Sequence, residues 1–574
     1  MLTVEPKGNE NILNLMRQAG VLPESPCNGK GLCGKCKVKI VSGTVSPITE
    51  QEEKFLTPAE KQENIRLACL AVPCDRVEID ELGLTLEKKS DVLSAGQMPK
   101  ITYHPSVRVE KKEITLPTLE KMGALVDDLS HRCTLQVMKK LPYFAGKEVY
   151  AVLREQTVID LREDNRIYGL AVDIGTTTVA VSLIDLQTGR AVQEDGFVNP
   201  QKAFGLDVLS RIHYDTEHEN GVLQMQEVLV KRLQQSIDTM TKNAGSSSDS
   251  IYEIVVGGNS TMIHILLGVG LGSLGRSPYS SVFNCPMNIF AEQTGIHINE
   301  EGMLYCIPSV STYIGGDIVA GALAARLDQA EDTVLFIDIG TNGEMILSCK
   351  GKMYSCSCAA GPALEGMNIS SGMRAEPGAI EKIKIVEGRA ELTTIGNAAP
   401  RGLCGSGILE AISEAVKAGI IAKTGRIAKD ALLTDEDTDG KRRIVLDQSH
   451  EIYVTQSDIR QVQLCKGAIL SGILTLMQQT GMNADQIDRV IVAGQFGKHI
   501  EPQSLTGSGL IPSGMEDKIS YIGNSSMTGA KMCLLSEEER ERAEEIAGKI
   551  CYIELSVCEG YEKLFTRCLQ FGGI

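Results

Sequence analysis

Residues 169–181, GLAVDIGTTTVAV, combine an apolar run, a short turn of glycine and threonine, and a second apolar run. The same order returns at residues 334–345, VLFIDIGTNGEM, about 165 positions later. Apolar runs on both sides of a tight turn are typical of two strands joined as a hairpin. Because the motif occurs twice at a separation of domain size, it predicts two similar lobes across the larger part of the chain.

The turn of each hairpin has the chemistry of an anion site. A Gly- and Thr-rich turn exposes backbone N–H groups and hydroxyls, and an aspartate just before it is suited to hold Mg²⁺ through water. The residues predicted to contact phosphates are Gly175, Thr176, Thr177, Gly340, Thr341 and Asn342. Asp173, Asp338 and Glu344 are the predicted catalytic carboxylates. Glu344 and Asp207 are both candidates for orienting an attacking water.

A cysteine-rich stretch near the N-terminus predicts a second site. Residues 27–36, CNGKGLCGKC, contain Cys27, Cys33 and Cys36, and Cys69 follows within residues 66–70, RLACL. Three thiolates in a Gly-rich loop and one distant thiolate are the ligand pattern of a [2Fe–2S] ferredoxin. The alternatives are a structural zinc site, which usually pairs two short Cys-x-x-Cys units, and Cys74 in place of Cys69.

Composition excludes several classes. The chain of 574 residues has a formal net charge of −17 and a sequence pI near 5.1, which disfavours nucleic acid as a partner. It lacks an apolar run of about 18 residues, and its first residues lack the pattern of a signal peptide. We therefore expect a cytoplasmic protein without a membrane span, and its scattered cysteines fit a reducing compartment.

The N-terminal motif resembles plant-type [2Fe–2S] ferredoxins over residues 1–84. Their β-grasp fold opens with a two-stranded hairpin, for which residues 6–11 leave little room, so we expect a trimmed version. The paired hairpins of residues 167–574 resemble the acetate kinase, sugar kinase, actin and heat-shock ATPases. That resemblance places Gly494 and Gly497, from the strand-to-glycine segment 490–497, VIVAGQFG, in an adenosine loop.

Further polar or Gly-rich motifs sharpen the resemblance. They are NPQ at 199–201, GLDV at 205–208, GNSTMIH at 258–264, AGPALEG at 360–366, GMRA at 372–375 and IGNS at 522–525. With the cysteines they resemble the reductive activators of corrinoid proteins. The predicted order is a ferredoxin domain (1–84), a linker (85–100), a small α/β middle domain (101–166) and a two-lobed ATPase domain (167–574), in an α/β multidomain chain.

This resemblance implies an activity and its partners. Such an activator uses a [2Fe–2S] cluster, ATP and Mg²⁺ to return Co(II) to Co(I) in the corrinoid protein of a methyltransferase system. It implies an upstream low-potential electron donor and a possible homodimer. The alternatives are an ATP-gated donor to another low-potential acceptor, a small-molecule kinase joined to a ferredoxin, and a nucleotide-gated redox-sensing module.

Three other features have less specific chemistry. His264 is more often a core or capping residue than a ligand, and Cys356 and Cys358 are more often buried small side chains than a redox pair. The loop at residues 402–407, GLCGSG, is compatible with an anion-facing helix N-terminus and equally with a packed turn.

Overall fold

In its described residues, the N-terminal domain is a small antiparallel sheet with three short helices. The computed structural model describes residues 2–572, apart from 9, 19–28, 30, 32–33, 35, 81–97, 121, 367, 430, 438 and 495–499. The elements of this domain are β1 (Leu2–Val4), α1 (Ile12–Gln18), β2 (Lys37–Ser42), α2 (Glu50–Glu53), α3 (Pro58–Gln62), β3 (Ile65–Leu67) and β4 (Val77–Asp80). Its sheet order is β1-β4-β2-β3. Within the described part of residues 5–11, β1 leads to α1 without a second strand, so the trimmed β-grasp is confirmed.

In the residues that the structure describes, a second small domain has four strands and one α-helix. Its elements are β5 (Val107–Glu113), β6 (Arg132–Cys133), α4 (Leu135–Lys140), β7 (Glu148–Arg154) and β8 (Thr157–Arg162), with sheet order β5-β7-β8-β6. The apolar residues spaced along 116–129 predict an amphipathic segment, but among its described residues only Leu125–Leu129 are helical, as a 3-10 helix. Pro117 disfavours helical geometry in the residue before it, and Leu119 is 93% exposed.

The first lobe of the large domain is built on a six-stranded sheet of order β11-β10-β9-β12-β14-β13. Its elements are β9 (Tyr168–Ile174), β10 (Thr178–Asp185), β11 (Ala191–Val198), α5 (Val208–Glu217), α6 (Gly221–Asn243), β12 (Ile251–Gly258), α7 (Ser260–Leu266), β13 (Met287–Phe290), β14 (Met303–Cys306) and α8 (Gly316–Ala324). Strands β9, β12 and β14 run parallel, whereas β9, β10 and β11 form an antiparallel meander.

The second lobe repeats this plan on the sheet β25-β24-β15-β16-β17-β26. Its elements are β15 (Thr333–Ile339), β16 (Gly343–Cys349), β17 (Lys352–Cys358), β18 (Ala379–Val386), β19 (Arg389–Thr394), β20 (Gly402–Leu403), α9 (Gly405–Lys417), β21 (Thr434–Glu436), β22 (Arg442–Asp447), β23 (Ile452–Thr455), α10 (Gln456–Thr480), β24 (Arg489–Ala493), α11 (Pro502–Gly507), β25 (Ile519–Gly523), α12 (Ser525–Leu535), α13 (Glu537–Lys549), β26 (Ile550–Tyr552) and α14 (Tyr561–Cys568). Here β15, β24 and β25 are parallel, and β15, β16 and β17 form the meander.

The two lobes meet through equivalent helices. Helix α8 follows the last parallel strand of the first sheet, α12 follows that of the second, and the two helices pack against each other. One hydrophobic core runs from the middle domain through both sheets and these helices, with Val107, Ala171, Phe336 and Met527 among its members. The fold is therefore the predicted α/β multidomain class: ferredoxin-type domain, middle domain and two-lobed actin-like domain. Among the described residues, the structure contains no helix of the length and apolarity that a bilayer crossing requires.

Candidate functional site

The structure brings two of the four predicted cluster cysteines together. The sulfur atoms of Cys36 and Cys69 lie 3.2 Å apart, and both residues are buried. The hydrogen bond with Cys69 lowers the pKa of the Cys36 thiol to about 7, against the opposing effect of burial. Cys27 and Cys33 lie outside the described residues. A pair of buried, adjacent sulfurs with one acidified thiol fits a thiolate-ligated cluster.

The segment RLACL is held in place by a buried ion pair. Arg66 donates from Nε and Nη2 to the two carboxylate oxygens of Glu52, each at 2.9 Å, and the Leu67 N–H donates to the same carboxylate at 3.1 Å. Glu52 is fully buried, and Arg66 extends this network to the carbonyl of Ser46. This pair fixes the strand that delivers Cys69, whereas Cys74 is exposed beyond it. The geometry therefore favours Cys69 over Cys74.

The described glycines of the cysteine loop leave no room for side chains. Gly34 has φ +64°, and a Cβ there would lie 2.7 Å from the ring of Phe55. Gly29 has φ +81° and lies against Leu13 and the Cβ of Cys69. The left-handed backbone and the close packing together account for glycine at these two positions.

The first hairpin loop is held by polar side chains of its own lobe. The Gly175 N–H closes the turn on the Thr178 carbonyl at 2.9 Å. Asn199 donates from Nδ2 to the Gly175 carbonyl at 2.8 Å, and Asn259 donates to the Thr176 hydroxyl at 3.1 Å. Two of the motifs noted in the sequence, at 199–201 and 258–264, therefore contact this loop.

Arg211 is the centre of that support. Its guanidinium is fully buried and donates to the carbonyls of Thr176 and Gly205 at 2.5 and 3.0 Å, and to the Gln201 side chain at 3.1 Å. Burial lowers the pKa of Arg211 to about 9. Asp207 is exposed and caps α5, accepting from the Ser210 N–H at 2.7 Å, so the structure gives it a helix-capping contact.

Among the described residues, the second hairpin loop has fewer side-chain supports from its own lobe. The Gly340 N–H closes on the Asn342 carbonyl at 2.9 Å, and the Gly361 N–H donates to the Thr341 carbonyl at 2.8 Å. The Thr341 hydroxyl donates to Glu365 at 2.5 Å. Thr177 of the first loop lies 3.4 Å from the Thr341 hydroxyl, so the two loops face each other across the cleft.

Helix α12 begins between the two loop aspartates. Asn524 and Ser526 each donate to the carboxylate of Asp173 at 2.8 Å, and Ser525 reaches Asp338 at 3.5 Å. The start of one helix therefore contacts the predicted Mg²⁺-binding carboxylate of each lobe.

Several carboxylates share the cleft, and burial raises their pKa values. Burial, then the charge of Asp173, raises the pKa of Asp338 to about 7. Burial, followed by the charges of Asp173 and Asp338, raises the pKa of Asp317 to about 7. Burial also raises the pKa of Glu344 well above its ordinary value, with Asp317 and Asp338 adding to the effect. Carboxylates that raise each other's pKa fit a site that takes a cation together with a nucleotide.

Gly494 lies against the second loop. Its φ is +98°, and a Cβ would come within 2.6 Å of the Ile339 carbonyl and 3.2 Å of the Asp338 carboxylate. Gly497, the other glycine assigned to an adenosine loop, lies outside the described residues. No group of three or more His, Cys, Asp or Glu side chains within the described ranges is arranged to ligate one metal ion directly.

Sequence reasoning missed Asp317 and Glu365 as site residues. Asp317 lies in the first turn of α8, where an acidic residue is ordinary, and Glu365 ends a short 3-10 helix over Pro362–Glu365. The only signal for Glu365 was its place in the motif at 360–366. Contacts between side chains of opposite lobes produce no local pattern in the sequence, so the sequence does not predict them.

The less specific features have structural explanations. His264 is buried, its Nδ1 lies 2.7 Å from the Ser260 carbonyl, and its Nε2 accepts from the Val282 N–H at 3.1 Å. Cys356 and Cys358 are buried on β17, and burial raises the pKa of both thiols. A Cβ at Gly407 would lie 2.0 Å from the Ile380 carbonyl, so packing of α9 on β18 accounts for that glycine.

These parts define a class of protein: an iron–sulfur domain of ferredoxin type joined to a two-lobed nucleotide-binding domain of the actin type. Family models match three consecutive parts of the chain. The 2Fe-2S iron-sulfur cluster binding domain matches residues 2–74, the RACo middle region matches 168–330, and the C-terminal domain of RACo, the ASKHA domain, matches 332–573.

Several known proteins are similar to this chain, and two of them match almost its full length. The corrinoid activation enzyme RamQ of Eubacterium limosum is 30% identical over 575 residues, which span 95% of this chain and 93% of that protein. A Methanosarcina barkeri reductase, named for the Co(II) methylated amine-specific corrinoid protein, is 24% identical over 441 residues, or 71% of this chain and 77% of its own. A solved structure of a reductive activator for corrinoid, iron-sulfur protein matches 100% of this chain and 98% of its own, with TM-score 0.75 and 30% identity. The chain belongs to the family of reductive activators of corrinoid proteins.

Proposed function

We propose that this chain is an ATP-dependent reductive activator that uses a [2Fe–2S] cluster to reduce Co(II) to Co(I) in the corrinoid protein of a methyltransferase system. The observation that carries the proposal is the presence of paired buried cysteines and opposed phosphate-type loops in one chain, 95% of which aligns with a corrinoid activation enzyme.

The proposed use of ATP has an energetic reason. Plant-type clusters have potentials near about −400 mV, and reduction of a protein-bound Co(II) corrinoid is harder still, so the transfer is uphill. A gap of roughly 100 mV corresponds to about 2.3 kcal/mol for one electron. Binding or hydrolysis of ATP is able to supply this if it changes how the chain contacts its partner.

The residues of the cleft have separate proposed roles. Asp173 and Asp338 would hold Mg²⁺, which would neutralise phosphate charge, and Glu344 would orient the attacking water. The two loops, Gly175 to Thr177 and Gly340 to Asn342, bind phosphate oxygens from opposite sides. Asn524, Ser525 and Ser526 contact the aspartates of both lobes, so α12 is placed to respond to closure of the cleft. Closure of two lobes around a nucleotide is a hinge motion.

The proposed cluster ligands are Cys27, Cys33, Cys36 and Cys69. The cluster supplies single electrons at low potential. The ion pair of Arg66 with Glu52 positions Cys69, and burial of Cys36 and Cys69 excludes water from their sulfurs.

The same proposal includes the adenosine site, the electron donor, the oligomeric state and the domain boundaries. Gly494 and Gly497 belong to the adenosine loop, an upstream low-potential donor reduces the cluster, and the chain works in the cytoplasm as a homodimer. The division into residues 1–84, 85–100, 101–166 and 167–574 stays a prediction, and most of the linker lies outside the described residues.

An anaerobic absorbance experiment tests the proposal. The reduced protein is mixed with a Co(II) corrinoid protein from the same genome, and the Co(I) band is followed after addition of Mg-ATP. We expect a band that requires ATP, is lost in Cys69→Ser, and persists in the matched control Cys74→Ser, because Cys69 lies beside Cys36 whereas Cys74 is exposed. A Co(I) band without ATP, or in Cys69→Ser, would contradict the proposal.

A further inference from the structure

A carboxylate joins the two phosphate-type loops. The Thr341 hydroxyl donates to Oε1 of Glu365 at 2.5 Å, and the Thr177 hydroxyl donates to Oε2 at 3.0 Å. The two threonines belong to opposite lobes, and their hydroxyls are 3.4 Å apart. The carboxylate of Glu365 therefore accepts one hydrogen bond from its own lobe and one from the opposite lobe.

The backbone around Glu365 holds it in this place. Gly361 donates from its N–H to the Thr341 carbonyl at 2.8 Å, at the start of the 3-10 helix that Glu365 ends. Gly366 follows with φ +75°, where a Cβ would lie 2.3 Å from the Met373 carbonyl. A Cβ at Gly372 would lie 2.2 Å from the Gly366 carbonyl, so this turn is tightly packed. Glu365 is thus fixed against the second loop and reaches the first.

In this arrangement one hydroxyl from each loop donates to one oxygen of the same anion. A nucleotide phosphate bound between the loops would use the same two donors. Burial raises the pKa of the Glu365 carboxyl, whereas its hydrogen bonds with Thr341 and Thr177 act in the opposite direction. A carboxylate and a phosphate oxygen compete for the same donors, because each hydroxyl has one proton to give.

We propose that Glu365 is an intramolecular competitor of the nucleotide: its carboxylate occupies the hydroxyls of Thr177 and Thr341, holds the lobes together without nucleotide, and must be displaced by a phosphate group. This proposal rests on the proposed binding of phosphates at the two loops. One consequence is that Glu365 lowers the affinity for nucleotide. A second is that binding of a phosphate group breaks the contact that Glu365 makes between the lobes.

Calorimetric titration of the full-length, cluster-loaded protein with ADP tests this competition. We expect Glu365→Ala to bind ADP about tenfold more tightly, because two charge-assisted hydrogen bonds no longer have to be broken. Glu365→Gln keeps the size of the side chain and loses its charge, so an intermediate increase is expected. The matched control is Glu391→Ala, which removes an exposed carboxylate of the same lobe.

Hydrogen exchange separates failure of this proposal from failure of the nucleotide site. If ADP protects the amides of residues 175–178 and 340–342 in the unchanged protein, the site stands. If Glu365→Ala and Glu365→Gln then bind ADP no more tightly than the unchanged protein, the competition is overturned while the site remains. We also expect these amides to exchange faster in nucleotide-free Glu365→Ala, because the contact between the lobes is lost. Unchanged exchange there would equally overturn it.

Discussion

The two hairpin loops of the cleft share a sequence motif and differ in what holds them. In the first lobe, Asn199, Arg211 and Asn259 bind the loop by side-chain hydrogen bonds to Gly175 and Thr176. In the second lobe, the described supports of Thr341 are one backbone bond from Gly361 and the carboxylate of Glu365, which also contacts the first lobe.

This difference assigns the loops different mechanical properties. A loop bound by buried donors of its own lobe has little freedom, since any movement leaves buried carbonyls unpaired. The position of a loop that is supported by a side chain contacting both lobes depends on the distance between the lobes. We therefore expect the first loop to stay fixed and the second to adjust when the lobes close.

The largest expected effect comes from removing the support of the first loop. Arg211→Met removes the side-chain donor of the buried Thr176 and Gly205 carbonyls and one of the two donors to the Gln201 side chain, which we expect to lower the free energy of unfolding by about 3–5 kcal/mol. Chemical denaturation measures it. The control Arg190→Met removes an exposed guanidinium of the same lobe and should cost less than about 0.5 kcal/mol. Equal effects of the two substitutions would mean that the first loop is not specially supported.

A substitution that adds a methyl group beside the second loop tests how tightly that loop is packed. In Gly494→Ala the new methyl group would press on the Ile339 carbonyl beside Asp338, and we expect a loss of about 2–4 kcal/mol with weakened ADP binding. Gly514→Ala is a matched control, because Gly514 has φ +84° and a Cβ there would meet no atom within 4 Å. It should cost about 1 kcal/mol for the left-handed backbone alone and leave ADP binding unchanged. If both variants bind ADP equally well, Gly494 does not shape the second loop.

The pH dependence of stability tests the carboxylates between the loops. The folded-state pKa values of Asp317 and Asp338 are raised to about 7 from ordinary values of 3.8, so the folded protein holds more protons than the unfolded chain in this range. Stability without nucleotide or divalent cation should therefore fall as the pH rises from about 4 to about 7.

Asp317→Asn removes one of these charges. We expect it to stabilise the protein by about 2 kcal/mol at neutral pH and to flatten the decline, as measured by thermal unfolding across the pH range. The control Asp517→Asn removes an exposed aspartate and should leave the profile unchanged. If the stability of Asp317→Asn fell more steeply with rising pH than that of the unchanged protein, other groups in the cleft would compensate the charge of Asp317.

The smallest expected difference separates two neighbouring serines of α12. Ser526→Ala removes a 2.8 Å hydrogen bond to Asp173 and should cost about 1 kcal/mol, whereas Ser525→Ala removes a 3.5 Å contact with Asp338 and should cost less than about 0.5 kcal/mol. Denaturant unfolding of both variants measures the difference. If Ser525→Ala lowered the free energy of unfolding more than Ser526→Ala, the contact with Asp338 of the second lobe would be the more stabilising of the two.

Much of the architecture was predictable because its signals are local. The repeated apolar run, aspartate and Gly-Thr turn predicted β9 with β10 and β15 with β16. The pattern of residues 12–19, which ends at Gly20, predicts a helix that is observed as Ile12–Gln18. The stretch at 116–129 was harder to predict, because Leu116 and Leu119 are apolar yet exposed, and periodicity alone does not reveal that.

The sequence by itself determined the hairpin turns, the cysteine spacing and the order of the domains, since each depends on residues close together in the chain or on their count. Only the tertiary structure decided that Asp317 shares a cleft with Asp173 and Asp338, and that Glu365 bonds to Thr177, 188 positions away. The physical reason is that burial, charge repulsion and hydrogen bonding depend on distance in space. Those distances exist only once the two sheets have packed through α8 and α12.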